Sequence, residues 1–419
     1  MKTLAMVATL CLSFEAISAI STSYFAPLDV NSIHDQELIN ERKGIAPRFA
    51  IPHSVAINPT QDQAWERAEN GHVWIHRVQA PNAVSLNFGF TRFHLPKSAE
   101  LNIYSADRSQ YIRSFTYQDN NINGQLWTPV IMSDDVFIEL KVDESEINLV
   151  DIELGHIGQG FRTFAETTLK AGSCNIDVAC TDSKGWEKEI NSVAVISTGG
   201  SNFCTGFMVN NTKNDKTPFF MTAAHCRITP EAAPTLVTYW NYQTSKCGGT
   251  RDGKLTQFNT GSTHLATGKK SDFTLVKLLQ SPKPEWKVTY AGWDARGAEG
   301  TAAVGIHHPN TDEKSISFEN DPTKIASYGG EESPGDGTHV RIVDWDKGTT
   351  EPGSSGSPLF DKNHRVIGQL HGGGAACGND LSDYYGRFYI SWKGDGGKGN
   401  GLSDHLDAGK TGKMFTDTL

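Results

Sequence analysis

The chain of 419 residues has no cysteine between residues 20 and 170. Of its seven cysteines, Cys11 lies near the N-terminus, and Cys174, Cys180, Cys204, Cys226, Cys247 and Cys377 all follow residue 173. A disulfide framework is thus excluded from the first part and possible in the second, so two regions are stabilised by different means. No pair of the six has C-x-x-C spacing, which excludes the usual structural zinc arrangements, and neither metal nor cofactor is expected. Past the N-terminus no run of about 18 apolar residues exists, so no membrane-spanning helix is expected. A basic stripe is missing too. Residues 1–170 carry 13 basic and 20 acidic groups (−7) and residues 171–419 carry 25 and 28 (−3), so nucleic acid is not an expected partner.

With 37% hydrophobic and 21% charged residues, the chain reads as a globular protein of two or three domains. Residues 1–20 have the form of a secretory signal: Lys2, an apolar stretch over 4–12, then Ala16, Ser18 and Ala19, with cleavage expected between residues 18 and 21. An exported, extracellular protein, monomeric and disulfide-bonded, is the expectation.

Residues 24–70 are polar, with helices expected near 35–43 and 62–69. From about residue 70, short alternating runs at 73–78, 85–88, 101–104 and 136–140 predict an all-β sandwich, with turns at Asn123-Gly124 and Ser133-Asp134-Asp135. Strands then recur at 193–196, 205–209, 219–222, 236–239, 273–278, 288–290, 340–343, 358–360, 366–370 and 387–390, a pattern of β-barrels. A terminal helix is expected over 404–407, with Ser403 as its N-cap. The run Gly394-Asp395-Gly396-Gly397-Lys398-Gly399 matches G-x-G-x-x-G. Only 20 residues follow it, too few for the rest of a dinucleotide fold, so it reads as a loop.

Two segments 130 residues apart carry the chemistry: Thr222-Ala223-Ala224-His225-Cys226 and Pro352-Gly353-Ser354-Ser355-Gly356-Ser357-Pro358. A serine hydroxyl becomes a nucleophile when a base takes its proton, which assigns Ser355 and His225 to those roles. The amides of Gly353 and Ser355 are the expected oxyanion donors. The imidazole needs a carboxylate to orient it. Asp272, opening the apolar run Phe273-Thr274-Leu275, suits this better than Asp252 or Asp294, which sit in looser turns. The order His225, Asp272, Ser355 is that of chymotrypsin. The adjacent pair His307-His308 points to opposite faces of a strand and reads as structural.

Residues 171–419 resemble the lysyl endopeptidase branch of the chymotrypsin-fold serine proteases. The likeness is carried by Ser173-Cys174-Asn175-Ile176-Asp177, Tyr239-Trp240-Asn241-Tyr242-Gln243, Ser271-Asp272-Phe273-Thr274-Leu275, Ile306-His307-His308-Pro309-Asn310, Thr350-Glu351-Pro352 with the nucleophile turn, Gly368-Gln369-Leu370-His371-Gly372-Gly373 and Ser382-Asp383-Tyr384-Tyr385-Gly386-Arg387. It implies an all-β, double-barrel domain over 171–419 with the triad at the barrel junction and a C-terminal helix. It also implies disulfides Cys174–Cys377, Cys180–Cys247 and Cys204–Cys226. The last of these would also fix the position of His225 by closing a loop on its neighbour.

The resemblance extends to specificity. A trypsin pocket places its carboxylate six residues before the nucleophile, where this chain has Thr349. The family takes the substrate ammonium on an aspartate matched here by Asp383. It stacks a histidine, here His371, on a tryptophan beside the cleft. Tyr328 stands at that place, a smaller aromatic wall. Gly372-Gly373 would pair with extended substrate backbone. Glutamyl endopeptidases also carry a histidine about 16 residues after the nucleophile, so His371 leaves acidic specificity as the alternative. A protease-like binding protein without catalysis is a third reading.

Lys170-Ala171 lies at the boundary between the cysteine-free and cysteine-bearing regions, where a lysine-specific protease could process itself. Residues 21–170 would then be a pro-region, an intramolecular inhibitor or folding aid. Trypsin's activation switch needs an aspartate directly before the nucleophile. Ser354 stands there, so activation is expected to follow removal of the pro-region.

Overall fold

The computed structural model describes residues 20–42, 45–59, 65–162, 172–330 and 334–419. The expected signal segment through residue 19, with Cys11, and the Lys170-Ala171 junction lie outside them.

The alternating runs of the first region fold into two facing sheets. One has the order Ser21–Tyr24, Gly71–Gln79, Asp135–Val142, Glu100–Ser105, Tyr111–Thr116, and Glu66–Ala68 also pairs with Gly71–Gln79. The other has the order Ala50–Ile57, Asp151–Gly160, Ser85–His94, Leu126–Trp127. Side chains alternate across a strand, so Trp74, His76 and Val78 are buried while their neighbours are not. Trp74, Phe88, Phe90, Ile103, Ile138 and Leu154 fill the space between the sheets.

The sandwich begins earlier than residue 70. Ser21–Tyr24 pairs in parallel with Gly71–Gln79, and Ala50–Ile57 lies antiparallel to Asp151–Gly160. Their exposed faces, Thr22 and Tyr24 in one and Pro52, Ser54 and Ala56 in the other, carry no apolar alternation, and the sequence around them is polar. The first expected helix is Val30–Arg42, tied to the chain beyond it by buried Glu37, which pairs with Arg48 at 2.7 Å. Where a second helix is expected, over 62–69, Glu66–Ala68 is instead an edge strand folding back on Gly71–Gln79 through a two-residue turn. Residues 62–64 lie outside the described residues.

The second region is built on two curled sheets, antiparallel except where Trp293 pairs in parallel with Val366, the chymotrypsin-like all-β architecture. The first runs Phe258–Thr260, Val237–Tyr239, Val193–Thr198, Asn202–Met208, Phe219–Ala223, Phe273–Leu278, Ser262–Gly268. The second has at its centre Ala303–His307, Pro358–Asp361, Val366–Gly373, Asp383–Arg387 and His339–Ile342. Three expectations need correction. Residues 288–290 form no strand, although Tyr290 exchanges two backbone hydrogen bonds with Leu419. The strand expected over 387–390 ends at Arg387, and Phe388–Lys393 is a helix. Burial of Phe388, Ser391 and Trp392 has the i, i+3, i+4 spacing of a helix face, which an aromatic run disguised as a strand. The C-terminal helix is Leu402–Leu406, N-capped by Gly401 and not by Ser403, with Leu402 and Leu406 buried one turn apart. The glycine-rich run 394–399 is a loop in which Asp395 accepts hydrogen bonds from the Lys269 and Lys270 amides.

The two regions share a core. Phe203, Val237, Tyr239, Tyr242 and Phe258 of the first barrel pack within the sandwich cluster. Tyr239 Oη accepts from the Val130 amide (3.2 Å), and Asn87 donates to the Gly200 carbonyl (3.1 Å). Disulfides join Cys174 to Cys377, Cys180 to Cys247 and Cys204 to Cys226.

Candidate active site

Strand pairing brings the first two functional side chains together. Ala223 pairs with Phe273, so the chain continuing to His225 and the residue preceding Phe273 sit at the same end of the first sheet. His225 lies in the short turn Ala224–Cys226, and the next residue, Cys226, is anchored to Cys204. Asp272 is 5% exposed and adopts a left-handed backbone, φ 54°. Three contacts hold that conformation: its carbonyl accepts from the Ala224 amide (2.8 Å) and from Gln369 Nε2 (3.2 Å), and its Oδ1 accepts from the His225 amide (2.9 Å). Asp272 Oδ2 then meets His225 Nδ1 at 2.6 Å. With the carboxylate accepting there, Nδ1 carries the proton and Nε2 is left as a base. The rival aspartates are engaged elsewhere, Asp252 with Ser245 and Asp294 with Arg296.

The turn that carries Ser355 approaches the same place from the second sheet, just before Pro358–Asp361. Its glycines are required by geometry. Gly353 has φ +92°, and a Cβ there would lie 2.1 Å from the Phe203 ring. Gly356 has φ +84°, and its Cβ would meet Thr222 Oγ1 at 2.2 Å. Thr205 clamps the turn, its amide donating to the Ser355 carbonyl (2.9 Å) and its hydroxyl to the Gly353 carbonyl (2.9 Å). The Pro352 carbonyl accepts from the Asn310 amide (2.7 Å). Because a trans peptide sets N–H opposite C=O, the Gly353 N–H points the other way. Buried His307 braces the turn from below, with Nδ1 at 2.8 Å from Ser354 Oγ and Nε2 at 3.1 Å from Ser317 Oγ.

A cavity of about 170 Å³ opens where these elements meet, lined by His225, Ser355, Gly353, His371, Gly372 and Tyr328, among others. His371 stacks on Tyr328 with ring centroids 3.6 Å apart, and its Nε2 is 3.7 Å from Asp272 Oδ2. Its ring also faces that of His225 at 5.5 Å.

Asp383 lies behind the cavity wall and is 1% exposed. Its Oδ2 accepts from Trp345 Nε1 (2.8 Å) and Thr350 Oγ1 (2.7 Å). Oδ1 accepts no hydrogen bond, although the Ala375 backbone is near, and it faces Gly373, which lines the cavity. Burial pushes this carboxyl's pKa up. Thr349, at trypsin's specificity position, is buried with its carbonyl turned to Ser317 Oγ (2.7 Å).

The first region reaches this site. Ile45, Ala46 and Pro47 line the cavity with Ser355. Past them the chain pairs with the first barrel: Arg48 bridges Asn202 in antiparallel fashion, the Phe203 amide donates to the Pro47 carbonyl (3.0 Å), and the Phe49 amide donates to the Ser201 carbonyl (2.8 Å). Nearby, Gly172 donates its amide to Glu351 Oε1 at 2.7 Å.

Residues 169–386 match the model of the family "Lysyl endopeptidase, C-terminal domain", just over half of the chain. The chain belongs to the lysyl endopeptidase family. The Lysyl endopeptidase of Pseudomonas aeruginosa is 32% identical over 299 residues, which cover 65% of this chain and 62% of that relative. Two solved structures align more loosely. The Rv3671c protease of M. tuberculosis in its active form has a TM-score of 0.31 at 16% identity, covering 53% of this chain and 89% of the other. The HtrA-type protease AlgW with a tripeptide has a TM-score of 0.31 at 13% identity, covering 48% and 57%.

Within this lysyl endopeptidase domain, His225, Asp272, Ser355, Gly353, His371 and Tyr328 converge on one place, with Asp383 behind its wall. All six cysteines after residue 173 are paired, so none offers a thiolate to a metal. Sequence reading missed His339, which contacts His371, along with Trp345 and Thr350, which hold Asp383, and Gln369, which supports Asp272. Trp345 stands 38 positions from its partner, and no spacing rule joins them.

Proposed function

We propose that this protein is a secreted serine endopeptidase that cleaves after lysine. Ser355 attacks the scissile carbonyl, and His225 takes the proton and returns it to the leaving amine. Asp272 orients His225 and stabilises its charged form, while the Gly353 and Ser355 amides receive the oxyanion. Peptides and proteins are the substrates, and the acyl-enzyme is resolved by water. The observation that carries this reading is the His225–Asp272 hydrogen bond at 2.6 Å beside a cavity that also contains Ser355.

Lysine specificity rests on Asp383. A buried carboxylate with one unsatisfied oxygen is costly to keep, and an ammonium group reaching it would supply the missing partner. The same buried negative charge disfavours an acidic side chain, which argues against the glutamyl alternative through His371.

The enzyme is made as a preproenzyme, acts as a monomer and is cut at Lys170-Ala171. Residues 21–170 block the cleft through Ile45, Ala46 and Pro47 and assist folding through the core they share with the first barrel. A normal yield of active enzyme from residues 171–419 expressed alone would count against the folding role. The catalytic reading is tested by a fluorophosphonate. It should label Ser355 in the processed protein and fail to label Ser355→Ala; a processed wild-type protein that takes no label would instead support a non-catalytic binding protein.

A further inference from the structure

His339 has no role in the mechanism above, yet it is 1% exposed and hydrogen-bonded to His371, which stands 3.7 Å from Asp272. A chain of hydrogen bonds determines its protons. Asp336 is ionised at neutral pH and can only accept, so Thr338 Oγ1 gives its single proton to Asp336 Oδ1 at 2.7 Å. Thr338 Oγ1 therefore accepts from His339 Nδ1, 2.8 Å away. Burial lowers the His339 pKa to about 4, so the ring is neutral and its Nε2 has no proton. Across the 3.0 Å contact from His339 Nε2, His371 Nδ1 must then be the donor. His371 is held below the usual histidine range by burial, so it too is neutral, and its Nε2 is bare. That bare nitrogen is the one 3.7 Å from Asp272 Oδ2.

We infer that His339 is a positioning residue that fixes the tautomer of His371, keeping its proton away from the carboxylate that serves His225. In the opposite tautomer His371 Nε2–H would point at Asp272 Oδ2, the oxygen that accepts from His225 Nδ1 at 2.6 Å. At 3.7 Å that N–H dipole, though beyond hydrogen-bond reach, would stabilise the carboxylate's charge electrostatically and make His225 a weaker base. The titratable groups facing the two rings are His225, Asp272, Asp336, Tyr328 and, against Tyr328, Tyr384. The inference rests on the proposed Ser355–His225–Asp272 catalysis.

The test uses the processed enzyme labelled with 15N-histidine, with the His371 signals identified by their loss in His371→Asn. Two-bond 15N–1H spectra at neutral pH should show His371 protonated at Nδ1 and bare at Nε2. In His339→Leu, which accepts no hydrogen bond, the Nε2–H form should appear. The acid limb of kcat/KM should then move to lower pH and kcat fall by about tenfold with KM nearly unchanged, since a tenfold change corresponds to about one pKa unit of differential stabilisation. His339→Gln, whose Oε1 can accept from His371, should restore both. A His371 protonated at Nε2 in the wild-type enzyme overturns the inference even if His339→Leu does not fold. An unchanged pH profile in His339→Leu overturns it as well. Fluorophosphonate labelling of the same wild-type sample separates the two levels: labelling with the wrong tautomer sinks only the His339 role, and no labelling removes the catalytic reading beneath it.

Discussion

Asp383→Asn should convert the enzyme from lysine-selective to weakly selective, and its effect can be worked from three contacts. Trp345 Nε1 and Thr350 Oγ1 both donate to Oδ2. An asparagine can keep them by presenting its carbonyl oxygen there. Its amide nitrogen then stands where Oδ1 was, facing Gly373 and the approaching ammonium. The side chain keeps its shape and loses its charge, and the lysine meets a donor instead of an acceptor. Removing one partner of a buried charge pair costs about 3–5 kcal/mol, between about two and four powers of ten in kcat/KM. Paired peptides differing only in lysine or leucine before the scissile bond would read this, and the leucine peptide should change little. Because burial raises the Asp383 pKa, lysine selectivity in the wild-type enzyme should fall as pH drops toward that raised value, earlier than an ordinary carboxylate would allow. Retained lysine selectivity in Asp383→Asn would refute the assignment.

Gly353→Ala places a Cβ 2.1 Å from Phe203 and strains a backbone at φ +92°, so the Gly353 amide, the proposed oxyanion donor, must move; kcat should fall about 10²- to 10³-fold in a steady-state assay while the fold persists by circular dichroism. Buried His307 and His339 have pKa values lowered to about 3 and about 4. Each is neutral when folded and charged when unfolded between those values and about pH 6.5, so stability is full above pH 6.5 and falls by about 1.4 kcal/mol per pH unit per histidine as pH drops, measurable by urea unfolding. His307→Gln should flatten that slope. Ala46, 2% exposed against the Cys204–Cys226 region, makes Ala46→Glu disruptive; pro-region 21–170 carrying it should inhibit the processed enzyme in trans at least about tenfold more weakly than the unaltered pro-region.

The elements legible in the sequence were those whose physics is local. Phe273–Leu278 is legible with its own bounds because an apolar run on the inner wall of a barrel needs no context. The glycines of the nucleophile turn stand out because no other residue fits φ near +90° there. What depends on distant partners was not legible. The strand Ala50–Ile57 exposes Pro52, Ser54 and Ala56 and only half-buries Ile51, His53, Val55 and Ile57, a weak alternation broken by a proline, and it acquires its identity from Asp151–Gly160, about a hundred residues on. The helix Phe388–Lys393 packs its aromatic face on Trp293, whose ring lies 4.4 Å from that of Trp392, and nothing local distinguishes that face from a buried strand. His339 has the same character: one strand over from His371's neighbours, its chemistry exists only once Asp383–Arg387 brings the strands together.

The central claim, a serine nucleophile whose cleft selects lysine, is tested most directly by digesting a mixed peptide pool with the processed enzyme and sequencing every new terminus. Lysine should precede nearly all the cuts, and Ser355→Ala should produce none. Cuts after glutamate, or no preference at the residue before the bond, would contradict the account.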